Sequence, residues 1–144
     1  MDLSFSSVSM GTGGALTIMF TDTDFTDLAA GLNGLQALIG GTTDGEITYE
    51  TWLGASNLEF EMTTKLTDLG TFSSGAFSGT TSLPFSPTGL YSLTQIVTIT
   101  HGGGIQNSSG DAELNAVPEP GTILLFGSGL MGLAAWRMRK NKVS

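Results

Sequence analysis

A mainly β protein is predicted, an antiparallel β-sandwich-like domain followed by a single C-terminal transmembrane helix. Three observations carry this. Short runs of alternating apolar and polar residues recur between turns rich in Gly, Ser, Thr and Pro. Helix signals in the first 116 residues are few, and no 20–50-residue repeat appears. The last 27 residues then change character, passing from Pro118-Glu119-Pro120 to a charge-free stretch and a basic end.

The elements follow in chain order. Residues 3–9 alternate weakly and read as a poor strand. Residues 15–20 form a better one, expected to end in the polar turn Thr21 to Asp24. Residues 25–41 read either as a short helix or as a wandering loop. Leu28, Leu32, Leu35, Leu38 and Ile39 fall near helical spacing, but Gly31 and Gly34 each weaken a helix by roughly 1 kcal/mol. Gly40-Gly41 is expected to close that segment. Residues 46–53 alternate, with Ile47, Tyr49 and Leu53 on one face and Trp52 turned away. Gly54 to Asn57 read as a turn into a second run, with Leu58, Phe60 and Met62 inward, so the two runs make a hairpin. Residues 70–82 look irregular, anchored by Phe72 and Phe77, and Pro84 and Pro87 mark a loop. Leu90 to Thr100 is the strongest strand, rich in β-branched residues that suit a central position. Gly102 to Gly104 end it, and residues 112–117 form a short last strand. The β domain is placed at 1–116.

The tail divides into a linker at 117–121, a membrane helix at 122–136 and a basic cytoplasmic end at 137–144. Pro118 and Pro120 lack amide donors and push Val117 and Glu119 into extended geometry. An extended, exposed peptide is a shape a protease groove reads. Gly121 to Trp136 carries no charge over 16 residues, about 24 Å of helix at 1.5 Å per residue. That is slightly short of a hydrocarbon core of roughly 30 Å. Trp136 suits the interface, and Arg137, Arg139, Lys140 and Lys142 form a stop signal on the cytoplasmic side. Gly127 to Gly132 spells G-x-G-x-x-G, but only 12 residues follow it and none is acidic, so dinucleotide binding is rejected.

Val117-Pro118-Glu119-Pro120-Gly121-Thr122, the apolar stretch and Trp136-Arg137-Met138-Arg139-Lys140 together resemble a PEP-CTERM protein-sorting domain. The resemblance implies an exported Gram-negative bacterial protein, a substrate of the membrane enzyme exosortase. Pro118, Glu119 and Pro120 would then be the recognised motif. The body would occupy the inner membrane transiently from outside the cytoplasm, then the cell surface or a biofilm matrix with exopolysaccharide. The partners expected are thus exosortase, the lipid bilayer and exopolysaccharide. Met1 to Phe5 has neither a basic n-region nor an apolar h-region, so a leader is expected to be missing from the sequence as written; the alternative is a cytoplasmic start with late tail insertion.

Charge sharpens this. The net charge is -8, yet four of the five basic residues lie in the last eight positions and all 13 acidic residues lie at or before Glu119. The part up to Glu119 therefore carries 13 acids against Lys65 alone, which gives -12, and the end carries +4. Such a body does not suit nucleic acid, whose binding rests on Lys and Arg. The absence of cysteine excludes disulfides and thiolate chemistry. Asp22, Asp24 and Asp27, spaced D-x-D-x-x-D, are candidate calcium ligands, though no EF-hand pattern surrounds them. No other cofactor is expected. His101, the single histidine, has no triad signature around it, and Trp52 is the aromatic best placed to stack on a sugar. A non-enzymatic surface protein is expected; the alternatives are a carbohydrate- or calcium-binding adhesin module and a permanently anchored membrane protein.

Overall fold

The computed structural model describes residues 1–28 and 32–118. They form eight strands: β1 (Asp2–Ser9), β2 (Gly14–Phe25), β3 (Gly34–Thr43), β4 (Glu46–Gly54), β5 (Thr64–Phe72), β6 (Gly75–Pro84), β7 (Tyr91–His101) and β8 (Gln106–Val117). They make two four-stranded sheets, one in the order β1-β8-β3-β6 and the other β2-β7-β4-β5. Every pairing is antiparallel. Consecutive strands lie in opposite sheets except β4 and β5, which form a hairpin. This is the order of a jelly roll, two Greek keys wrapped on each other. The expected antiparallel sandwich is therefore observed. No helix occurs among the described residues, so none there is long and apolar enough to cross a membrane. The expected helix at 122–136 lies outside the described residues.

The strand alternation places the core. Leu35, Ala37 and Ile39 of β3, Ile47 and Tyr49 of β4, Leu93, Val97 and Ile99 of β7 and Ala112 and Leu114 of β8 are buried together. The strongest expected strand is indeed central, since β7 pairs with both β2 and β4. At one side of the sandwich β5 and β6 meet through Phe72 and Phe77, whose ring centroids lie 5.2 Å apart.

Several local expectations are corrected. Residues 34–43 are neither helix nor loop but a strand: the buried positions Leu35, Ala37 and Ile39 repeat every second residue, and Leu38 points outward. The helical spacing of the leucines spans two different environments. Gly40 and Gly41 do not close the segment; they sit mid-strand, where β3 pairs closely with β8. Gly41 faces Gly110 in register, and a Cβ at Gly41 would lie 2.1 Å from the Ser109 carbonyl oxygen. β2 does not end at Thr21. It runs to Phe25 through a register shift between Asp22 and Phe25, with Asp24 at φ 63°. The polar residues build a bulge, and Phe25 still reaches the core to stack on Tyr91 at 5.6 Å. Leu58, Phe60 and Met62 are not inward strand residues: they are 62%, 48% and 46% exposed on a loop. The true partner of β4 is β5, which begins after that loop. Residues 70–82, expected as irregular, instead end β5 at Phe72 and begin edge strand β6 at Gly75, and the last strand starts at Gln106 rather than 112.

Two polar bridges tie the sheets. Near the middle, the Tyr49 hydroxyl of β4 donates to Gln95 Oε1 of β7 at 2.6 Å and lies 3.2 Å from the Glu113 carbonyl of β8. At one end, His101 Nε2 of β7 meets Ser108 Oγ of β8 at 2.7 Å, and Ser108 Oγ meets Thr43 Oγ1 of β3 at 2.7 Å.

Candidate functional site

Strand directions divide the molecule into two poles. The turns β1–β2, β3–β4, β5–β6 and β7–β8 cluster at the far pole. The connections β2–β3, β4–β5 and β6–β7 cluster at the near pole, where β8 ends and Pro118 begins the motif. Pro118 leaves directly from the sheet: Val117 pairs with Gly34, and the Asn33 amide donates to the Val117 carbonyl at 3.3 Å. The motif's start thus borders a cavity of about 260 Å³ lined by Asn33, Gly34, Leu83 and Pro84. β8 is held between β1 and β3 up to Glu113 and by β3 alone from there to Val117, so the backbone before the motif is paired to its last residue. Glu119, Pro120, Arg137, Arg139, Lys140 and Lys142 lie outside the described residues.

The near-pole loops are rigidly braced. The Asp24 amide donates to Asn57 Oδ1 at 2.8 Å, and Asn57 Nδ2 donates to Asp24 Oδ1 at 2.7 Å. Asn57 and Phe60 share with Asp24 a left-handed backbone, at φ 58° and 57°. Partial desolvation pushes the Glu61 carboxyl up, but hydrogen bonds from Ser56 and Thr63 outweigh it and hold the group below its ordinary range. Of the three calcium candidates, Asp22 accepts from the Thr23 amide, Asp24 is engaged with Asn57 and Asp27 lies beyond the end of β2. Among the described residues no three His, Cys, Asp or Glu side chains are grouped to hold a metal ion.

His101 is buried and its hydroxyl partner Ser108 is 2% exposed. Ser108 Oγ is shared between His101 and Thr43, an arrangement that knits strands together and faces no cleft. Trp52 turns away from Tyr49, as its alternation predicts. Its ring is covered by Lys65, whose Nζ lies 5.2 Å from the centroid. Lys65 is held in turn by Glu50 and by Asp68 at 3.0 Å, and these hydrogen bonds, Glu50's first, keep its ammonium above its ordinary pKa.

One feature had no sequence signal. On the outer face of sheet β1-β8-β3-β6, Ser4, Asp111, Gly40 and Ser78 fall in one row across all four strands. The missing side chain at Gly40 leaves a shallow depression of about 590 Å³ rimmed by Ser4, Ser6, Thr42, Ser109 and Asp111. Only strand register reveals this row, and register depends on partners far apart in sequence.

A chain of the solved structure of infectious bursal disease virus, Gx strain, is similar over 83% of this chain and 32% of its own length, at 14% identity and a TM-score of 0.36. The present chain thus spans about a third of that viral chain. No curated protein matches. A family model does match residues 116–140, and it is the PEP-CTERM protein-sorting motif. With β8, an inner strand, delivering Pro118 at the near pole, the chain is a jelly-roll body followed by a PEP-CTERM sorting motif at residues 116–140.

Proposed function

We propose that this protein is an exported, non-enzymatic structural component of the cell surface or extracellular matrix of a Gram-negative bacterium. Its tail spans the inner membrane transiently, and exosortase cleaves it at the Pro118-Glu119-Pro120 motif. The observation that carries this reading is the sorting motif at 116–140, placed immediately after the last strand. Among the described residues all eight strands lie within Asp2–Val117, so cleavage at the motif leaves every one of those strand pairings in place. The buried, doubly engaged Ser108 supports the non-enzymatic part, because a nucleophile must meet its substrate. The test is the intact mass of the mature protein from membrane, periplasm and medium. A body in the outer fractions that has lost the residues beyond the motif is expected. A full-length chain retained in the inner membrane would leave a permanent anchor and no processing.

A second reading, a carbohydrate-binding module for exopolysaccharide, is favoured by the depression around Gly40. Its hydroxyls and the Asp111 carboxylate match the donors and acceptors of a sugar ring. Retention on matrix polysaccharide that Asp111→Asn abolishes would support it; equal retention of both would remove it. Calcium at Asp22, Asp24 and Asp27 would have to bring together carboxylates that are not grouped in this structure, and a melting temperature indifferent to calcium and chelator would remove the metal.

A further inference from the structure

We propose that the near pole of the jelly roll is a lipid-contacting surface while the chain is anchored, with Leu58, Phe60, Met62 and Leu90 entering the headgroup layer of the bilayer. The proposal rests on the reading of residues 121–136 as a membrane anchor. Its first premise is distance. Pro118 is fixed to the sheet through Val117, and the charge-free stretch starts at Gly121. Three residues, fully extended, reach about 10–11 Å. An interfacial headgroup layer is itself roughly 5–7 Å deep, so even at full stretch the tether leaves the near pole no more than about 6 Å beyond that layer, and any slack brings the two into contact.

The second premise is what that pole presents. Leu58, Phe60, Met62 and Leu90 are 62%, 48%, 46% and 54% exposed, and all lie on near-pole connections. The loop bearing the first three is braced by the Asp24–Asn57 pair and by Glu61, which turns its carboxylate onto the loop's own Ser56 amide and Thr63 hydroxyl. Apolar side chains on a preformed loop enter an interface without an ordering cost. The far pole also exposes apolar groups, Met10 at 75% and Ile105 at 72%. Nothing tethers that pole to a bilayer, so exposure alone does not decide the assignment and tether length does.

Charge selects the lipid. Residues 1–118 carry 12 of the acids and Lys65 alone, a net -11. Anionic headgroups repel such a body and salt relieves the repulsion, so zwitterionic headgroups are favoured.

The chain has no cysteine, so single labels report cleanly. Full-length Leu58→Cys, Ile105→Cys and Ser128→Cys variants, each carrying a polarity-sensitive fluorophore, are reconstituted in phosphatidylcholine vesicles doped with nitroxide lipids. Shallow nitroxides are expected to quench the label at 58 several-fold more than that at 105, deep nitroxides the label at 128, at the middle of the charge-free stretch, and added phosphatidylglycerol to weaken the first effect. A quenched label at 128 with 58 as wet as 105 overturns this proposal alone. A wet label at 128 overturns the anchor and this proposal together.

Discussion

Tyr49 is the residue on which the two sheets agree. Its ring fills the core from one sheet, and its hydroxyl reaches Gln95 in its own sheet and the backbone of Glu113 in the other. Tyr49→Phe keeps the ring and strands those acceptors, so a loss of about 1–3 kcal/mol is expected, read as a lower urea midpoint at unchanged slope. Burial, and after it the charge of Glu113, pushes the Tyr49 hydroxyl above its ordinary 10.0. The folded state therefore keeps a proton that the unfolded chain gives up. The associated stability is whole below pH 10.0 and is lost as pH rises beyond it. In Tyr49→Phe this alkaline loss should shrink to what Tyr91 and Lys65 contribute, since burial and then Asp27 raise the Tyr91 hydroxyl and the Glu50 and Asp68 hydrogen bonds raise the Lys65 ammonium. Chemical denaturation across alkaline pH measures both. The inward direction of Tyr49 was legible from its alternation with Ile47. Its partners were not, because Gln95 and Glu113 meet it only through pairings that no local pattern encodes.

At the level of elements, patterning succeeded where one face of a strand is buried and failed where glycine or an exposed apolar residue blurred the period. β4 alternates cleanly and was legible; β7, buried at every position from Tyr91 to Val97, was legible from its β-branched run instead. β3 was not: Gly40 and Gly41 look like a terminator, yet they permit two backbones to approach. Gly41→Ala is expected to cost about 1–3 kcal/mol through crowding against Ser109 and Gly110. Residues 58–62 show the opposite failure, an alternating run that is a loop. Phe60→Ser should shift stability by no more than about 0.5 kcal/mol. Leu35→Ala, inside β3 at 2% exposure, should cost about 2–5 kcal/mol. Equal costs for these two would return residues 58–62 to the core. Urea denaturation of the three variants makes the comparison.

For the whole molecule, the sandwich and the sorting motif were both legible, the first from period-two patterning and the second from three parts in fixed order. The jelly-roll connectivity was not, because strand order is a property of pairings between distant segments. Its consequence for stability is direct. All the strand pairings among the described residues lie within residues 1–118, so a chain ending at Pro118 is expected to unfold at the same urea midpoint as the full-length protein, both in detergent. A lower midpoint would mean that the tail packs on the body.

The position of β8 has a bearing on timing. It lies between β1 and β3, so the first and last strands of the chain are neighbours and the middle of one sheet is delivered last. A chain threaded N-terminus first holds an open half-sheet, slow to close because its pairings span the sequence. Closure comes only when Val117 is available, one residue before Pro118 of the sorting motif. Completion of these two sheets and exposure of the motif's start are therefore a single event.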